Sequence, residues 1–318
     1  MGTNPDTVCA ARLHRHGRPL VAETVTLPEP AADEVRVELE FAGVNPVDGY
    51  IAEGRVNPDG PLPRTLGGEG AGCADGRAVL VAGEGLGTTR DGVWAQAANV
   101  PRAAVLPLPD GVRTREAAAM GIAGLTALNV VRELARVTAE DRVLVLGASG
   151  GVGSMIVSLA HAAGATVWGQ TGSDAKAPAI LEQGADKAVV SGPDDLADQV
   201  AEFEPTVVFD PLGDGYVAPV TSVAAPRGRI VSFGTSAGAE VTFNMQVVYR
   251  KMLSLLGYGG MQLGRDERRT GLEAALRALG EGAIRVRIDE VIALQDVGGV
   301  FTRLHGRGVQ GKLLLGLS

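Results

Sequence analysis

Residues 142–163 read RVLVLGASGGVGSMIVSLAHAA, and the order of residue types in this stretch decides the fold. Val143–Leu146 is an apolar run of strand length. Gly147-Ala148-Ser149-Gly150-Gly151-Val152-Gly153 follows it directly, and Ser154–Ala163 has the character of a helix stopped by Gly164. Glycines between a strand and a helix let the chain turn sharply and bring its backbone close to a pyrophosphate. The negative charge would meet unpaired amides and the positive end of the helix. Taken alone, such a loop is also compatible with a tight turn that binds nothing, so its surroundings decide.

Toward the C-terminus the pattern repeats. The spacing predicts strands Thr166–Gly169, Lys187–Val190, Thr206–Asp210, Arg229–Phe233 and Leu253–Tyr258. Between them it predicts helices Asp174–Gln183, Asp194–Phe203, Tyr216–Ala225 and Asn244–Lys251. Strands separated in this way pair in parallel through right-handed crossovers, giving a doubly wound α/β sheet with ligands at the carboxyl ends of its strands. Before this region, short apolar stretches such as Glu34–Phe41 and Arg77–Ala82 predict a mainly β half, and Thr114–Ala135 has helical spacing. After Gly259 come a helix Asp266–Glu281, an apolar Val291–Leu294, a helix Gln295–Leu304 and a strand Gly311–Leu315. These exceed a six-stranded domain. The chain is therefore expected to return and complete its N-terminal domain, with 1–118 and 259–318 forming one domain and 119–258 the other.

The end of the second strand of the alternation discriminates between cofactors, because an acidic side chain there would accept from the ribose 2′-hydroxyl of NAD. Here the residues are Gln170, Thr171, Gly172 and Ser173, and Lys176 lies in the first turn of the next helix. Lysine at a helix N-terminus opposes the dipole, so its ammonium is better explained by a phosphate. The 2′-phosphate of NADPH is assigned to Ser173 and Lys176, with Thr171 beside them and Ser149, Gly150, Gly151, Val152 and Gly153 around the pyrophosphate.

At 318 residues two domains are expected, and 45% hydrophobic with 21% charged residues is ordinary globular composition. The formal charge of −8, from 29 basic and 37 acidic residues, comes without a basic run and argues against nucleic acid or anionic membrane as a partner. Two cysteines, Cys9 and Cys73, suit a reducing compartment, and the polar start Met1–Cys9 lacks signal-peptide character; a cytoplasmic protein is expected. His14, His16, His161 and His305 do not cluster in the sequence, and no metal site is readable.

The motifs Gly43-Val44-Asn45-Pro46-Val47-Asp48-Gly49-Tyr50, Gly67-Gly68-Glu69-Gly70-Ala71-Gly72, Gly124-Leu125-Thr126-Ala127, Ser232-Phe233-Gly234 and Gln310-Gly311-Lys312 join the glycine loop in one pattern. Together they resemble the zinc-free medium-chain dehydrogenase/reductases of the quinone oxidoreductase type. The stretch Gly83–Gln96 is more similar to the acryloyl-CoA reductase branch. The resemblance implies a split, GroES-like catalytic domain with a Rossmann domain inserted, an active site in the interdomain cleft, and a homodimer joined near Leu253–Tyr258. It also implies no catalytic zinc, since zinc-dependent relatives place a cysteine where this chain has Asn45 and a histidine where it has Gly68. By the same resemblance Asn45 and Tyr50 line the nicotinamide and substrate pocket, Thr126 lies beside the cofactor, Phe233, Gly234 and Ser236 border the nicotinamide, and Lys312 approaches the diphosphate.

Without a metal to polarise a carbonyl, reduction of an activated C=C bond is the chemistry expected. Hydride would pass from NADPH to the β-carbon of an enone, quinone or related unsaturated carbonyl. Asn45 or a backbone N–H would stabilise the enolate; Tyr50 is either the proton donor, since phenols stay protonated at neutral pH, or a residue that only stacks on and shapes the nicotinamide pocket. Asp48 and Glu69 are expected to hold loops by accepting backbone N–H groups. Three alternatives share the same residues: an enoyl-thioester reductase using Arg55, Arg64 and Arg90 on a pantetheine arm, a reductase of one specialised metabolite, and an NADPH-binding regulatory or RNA-binding protein.

Overall fold

The computed structural model describes residues 7–306 and 308–318, so most of the polar start lies outside the described residues. The chain divides into two compact units. One is 125–264 with 281–287, and the other is 1–124 with 265–280 and 288–318. The second is thus made from both chain ends. The main breaks, after Gly124 and after Gly264, fall six residues beyond the 118 and 258 expected from sequence.

In the unit 125–264, strands Arg142–Val145, Thr166–Thr171, Lys187–Val190, Val207–Asp210, Arg229–Ser232 and Ser254–Gly257 form one parallel sheet. Numbered in chain order, they lie side by side as 3-2-1-4-5-6. The apolar runs make this possible: Val143, Leu144, Val145, Val207, Val208 and Phe209 are wholly buried, as strands covered by helices on both faces must be. Strand order reverses between the first and fourth strands, and the loop after Val145 opens there, at the switch point where such sheets bind ligands.

In the other unit, Glu34–Val44 is the organising strand. It pairs antiparallel with Glu69–Ala74, with Ala97–Pro101 and with the C-terminal strand Lys312–Gly316, around a core that includes Val37, Leu39, Val81, Trp94 and Leu315. Two of its registers bring distant polar residues together. Leu313 faces Val44, which sets Lys312 beside Asn45, and Gly70 faces Ala42, which sets Glu69 beside Gly43.

The expected helix Thr114–Ala135 is helical but not of one pitch. Regular turns at Thr114–Ala117 and Leu125–Leu128 alternate with wide π-helical turns at Met120–Gly124 and Asn129–Leu134. The first wide turn has an outside partner: the N–H of Ile122 donates to Glu69 Oε2 at 2.7 Å. A Cβ on Gly121 would come within 2.7 Å of Glu69 Cβ and 2.8 Å of Ala82 Cβ, so the turn passes that close only because residue 121 is glycine.

Candidate active site

The glycine loop is built from backbone. Gly147 has φ +56°, in the left-handed region, and Gly150 opens the helix Gly151–Ala162 in extended conformation with no side chain capping it. The first amides of a helix have no partner within it, so they are presented for a ligand. A Cβ on Gly153 would collide with the carbonyl oxygen of Gly147, which is why the helix can pack so tightly on the loop. The residues fit a pyrophosphate in this respect: four of the seven, Gly147, Gly150, Gly151 and Gly153, carry no side chain to hold a ligand off the backbone.

Gln170 holds this loop and was absent from the residues expected to bind cofactor. Its side-chain oxygen accepts from Gly147 N at 3.1 Å, its side-chain amide donates to Ser191 O at 2.6 Å, and its backbone carbonyl accepts from Ala148 N at 2.9 Å. It ties the loop to the ends of two neighbouring strands. The signal in the sequence was an amide residue, buried by the strand pattern, at the end of the second strand. Ser149 and Thr171 are buried with their hydroxyls 3.5 Å apart, Ser173 stands just before the short turn Asp174–Lys176, and Lys176 is half-buried. Thr126 is half-exposed on a helix packed against the one that follows the loop.

Phe233, Gly234 and Ser236 follow the fifth strand of this sheet and lie on the loop that follows the fourth. Phe233 N donates to Asp210 O, and the N–H and Oγ of Ser236 both donate to Pro211 O, at 3.0 and 3.1 Å. Asp210, a second residue missing from the sequence-based expectation, organises this lip by accepting from the amides of Leu212 at 2.8 Å and Gly213 at 3.1 Å. Burial pushes its carboxyl up from the ordinary range, and the amides of Gly213 and Leu212 oppose that.

The second cluster is built from side chains. Asn45 precedes the short helix Pro46–Ala52, and its N–H donates to Asp48 Oδ2 at 2.8 Å. Its side-chain amide donates to Glu69 Oε1 at 2.6 Å. Glu69 accepts in addition from Lys312 Nζ at 2.9 Å, and the same ammonium reaches Asn45 Oδ1 at 2.6 Å and Val44 O at 3.1 Å. Asn45, Glu69 and Lys312 are 3%, 0% and 4% exposed. A Cβ on Gly43 would fall on the Glu69 carboxylate, so glycine there clears its seat.

Asp48 and Glu69 accept backbone N–H groups as expected, and Glu69 is also the counter-ion of a buried lysine. The resemblance sets Lys312 near the cofactor diphosphate; in this structure its ammonium is buried and its three donor hydrogens have three oxygens, of Val44, Asn45 and Glu69, within reach. Tyr50 is half-buried on the helix Pro46–Ala52 with the Arg55 guanidinium 4.3 Å above its ring. Arg64 is buried and donates to Thr88 O, while Arg90 is exposed, 3.5 Å from Glu34. Among the described residues no group of three or more His, Cys, Asp or Glu could hold a metal ion.

A quinone oxidoreductase of Salmonella typhimurium is 31% identical over 327 residues, covering 95% of this chain and 97% of its own. The chain belongs to the quinone oxidoreductase-like medium-chain dehydrogenase/reductases, a family of oxidoreductases. Residues 151–277 of this oxidoreductase also match a protein-family model described as zinc-binding dehydrogenase. Among solved structures, that of AibC superposes with TM-score 0.90 at 27% identity, covering 99% of this chain and 97% of its own. The Escherichia coli quinone oxidoreductase complexed with NADPH gives 0.83 at 27%, covering 97% and 99%. The GroES-like plus Rossmann architecture of the family is the one described above.

Proposed function

We propose that this oxidoreductase uses NADPH to reduce the activated C=C bond of an enone, quinone or related unsaturated carbonyl, without a metal. The observation that carries the reading is the donor set at Asn45: an amide, a carboxylate and an ammonium, buried together, with one Nδ2 hydrogen of Asn45 spent on Glu69 and the other remaining. An oriented N–H in a dry site stabilises a developing enolate oxygen far better than it would in water. NADPH, when bound, supplies the hydride. The chain's part is to hold the phosphates at the uncapped helix Gly151–Ala162, to present Asn45 to the carbonyl oxygen, and to hold a proton on Tyr50 for the α-carbon. The preference for NADPH over NADH is supported by the absence of an acid among residues 170–173, by Lys176 one turn on, and by the E. coli relative solved with NADPH.

The test is oxidation of NADPH against matched quinone, enone, enoyl-CoA and saturated ketone substrates. Turnover confined to activated C=C compounds is expected, and turnover of the saturated ketone alone would overturn the reading. Tyr50→Phe is expected to lower turnover with several enones; an unchanged kcat would leave Tyr50 as a packing residue only. We also place the protein in the cytoplasm as a homodimer joined along strand Ser254–Gly257. Among the described residues this edge strand pairs on one side only, and Tyr249, Met252 and Leu255 near it are 60%, 57% and 42% exposed. A monomeric mass by light scattering would remove the dimer.

A further inference from the structure

Asn45 has a carboxamide whose two ends are chemically distinct but similar in shape, and its neighbours settle which end points where. The Lys312 ammonium can only donate, so the atom 2.6 Å from it is the amide oxygen. An ionised Glu69 can only accept, so the atom 2.6 Å from Oε1 is the amide nitrogen. With either partner gone, the flipped carboxamide would present an acceptor where the oriented site presents a donor.

Three oxygens, from Val44, Asn45 and Glu69, surround Lys312 Nζ as ligands surround a small cation, and Gly43 and Gly121 leave room for the Glu69 side chain among them. The donors here are oxygens rather than thiolates or imidazoles, and an ammonium already sits among them. The donor set therefore does not fit zinc. It does fit a lysine.

We propose that Lys312 is the built-in cation of this site and a positioning residue for Asn45, its ammonium fixing which end of the carboxamide faces Glu69. Its effect on turnover rests on the reading that Asn45 faces the substrate. Its effect on the oxygen cage does not.

Two variants separate these. In Lys312→Ala the cage is open, and methylammonium is expected to raise the melting temperature by about 3 °C beyond an equal concentration of sodium chloride, with no such rise in the wild type. Lys312→Met combined with Glu69→Gln leaves no unpaired buried charge and so keeps a folded variant available. In that double variant kcat is expected to fall on the order of 10²-fold, with the Kd for NADPH, measured by nucleotide fluorescence, within about twofold of wild type. Absence of the methylammonium-specific rise overturns the built-in cation. A Kd weakened tenfold or more returns Lys312 to the diphosphate, and a kcat within twofold of wild type removes the positioning role. If the wild type reduces no activated C=C bond, the proposed reaction fails while the melting and binding results still decide the cage.

Discussion

The glycine loop at 147–153 and the cluster of Asn45, Glu69 and Lys312 are two kinds of site. The first is made mostly of backbone contributed by consecutive residues, with no side chain capping the helix that follows and its first amides left over. The second is made of side chains from strands and loops separated by 24 and 243 residues, and its chemistry is mutual satisfaction of buried charge and polarity. A backbone site tolerates change except where a Cβ would intrude. A buried ionic cluster tolerates almost no single change, because each member is the partner that makes burial of the others possible.

The comparison is broken most directly at Glu69. Glu69→Gln leaves the Lys312 ammonium buried without its counter-charge and is expected to cost about 3–5 kcal/mol in urea unfolding. Adding Lys312→Met should recover most of it. An unchanged midpoint would mean that water reaches the ammonium and that the cluster is not a closed unit.

Asp48 sharpens the same point through pH. Burial is the main reason its carboxyl is pushed up to about 7; the Asn45 N–H opposes the shift, Glu69 adds to it and Lys312 opposes it. Because this lies above the value of 3.8 for an exposed aspartate, the folded protein keeps the proton longer than the unfolded chain does. Asp48 therefore makes the fold most stable below about pH 4, and stability falls by a few kcal/mol as pH rises to about 7, then levels. Asp48→Asn should flatten that slope in unfolding measured across the window; a slope that persists in the variant would assign it to other groups.

At the glycine loop, Gly153→Val is expected to weaken NADPH about 100-fold, or about 3 kcal/mol, because the new side chain meets the backbone at Gly147 and Ala148, which has nowhere to move. Stability should change less than binding does. A variant that binds NADPH normally would show that the loop does not contact the phosphates. The smallest effect belongs to Lys176→Glu, expected to weaken NADPH about 10- to 30-fold while leaving NADH within about threefold, by titration of each nucleotide. Equal losses for both nucleotides would move the 2′-phosphate elsewhere.

The alternation of strands and helices, the place of the glycine loop and the candidate residues Ser173 and Lys176 were legible in the sequence. All of these depend on neighbours within a few positions, where periodicity, glycine and helix ends act locally. The sequence also showed that elements after Gly259 exceed the parallel sheet. Gln170 and Asp210 sat in view at strand ends, but nothing local says whether such a side chain turns to its own loop or to solvent. The partner of the widened turn at Met120–Gly124, Glu69, was hidden because it is distant in sequence.

Lys312 shows most plainly what only tertiary structure decided. A lysine near the C-terminus could reach toward a phosphate or toward a buried acid. Strand register sets Leu313 against Val44 and Gly70 against Ala42 and so brings the ammonium to Glu69 and Asn45. Register over hundreds of residues follows from which faces of the strands must be buried. A charge that ends up 4% exposed must then be matched by whatever the register has placed beside it.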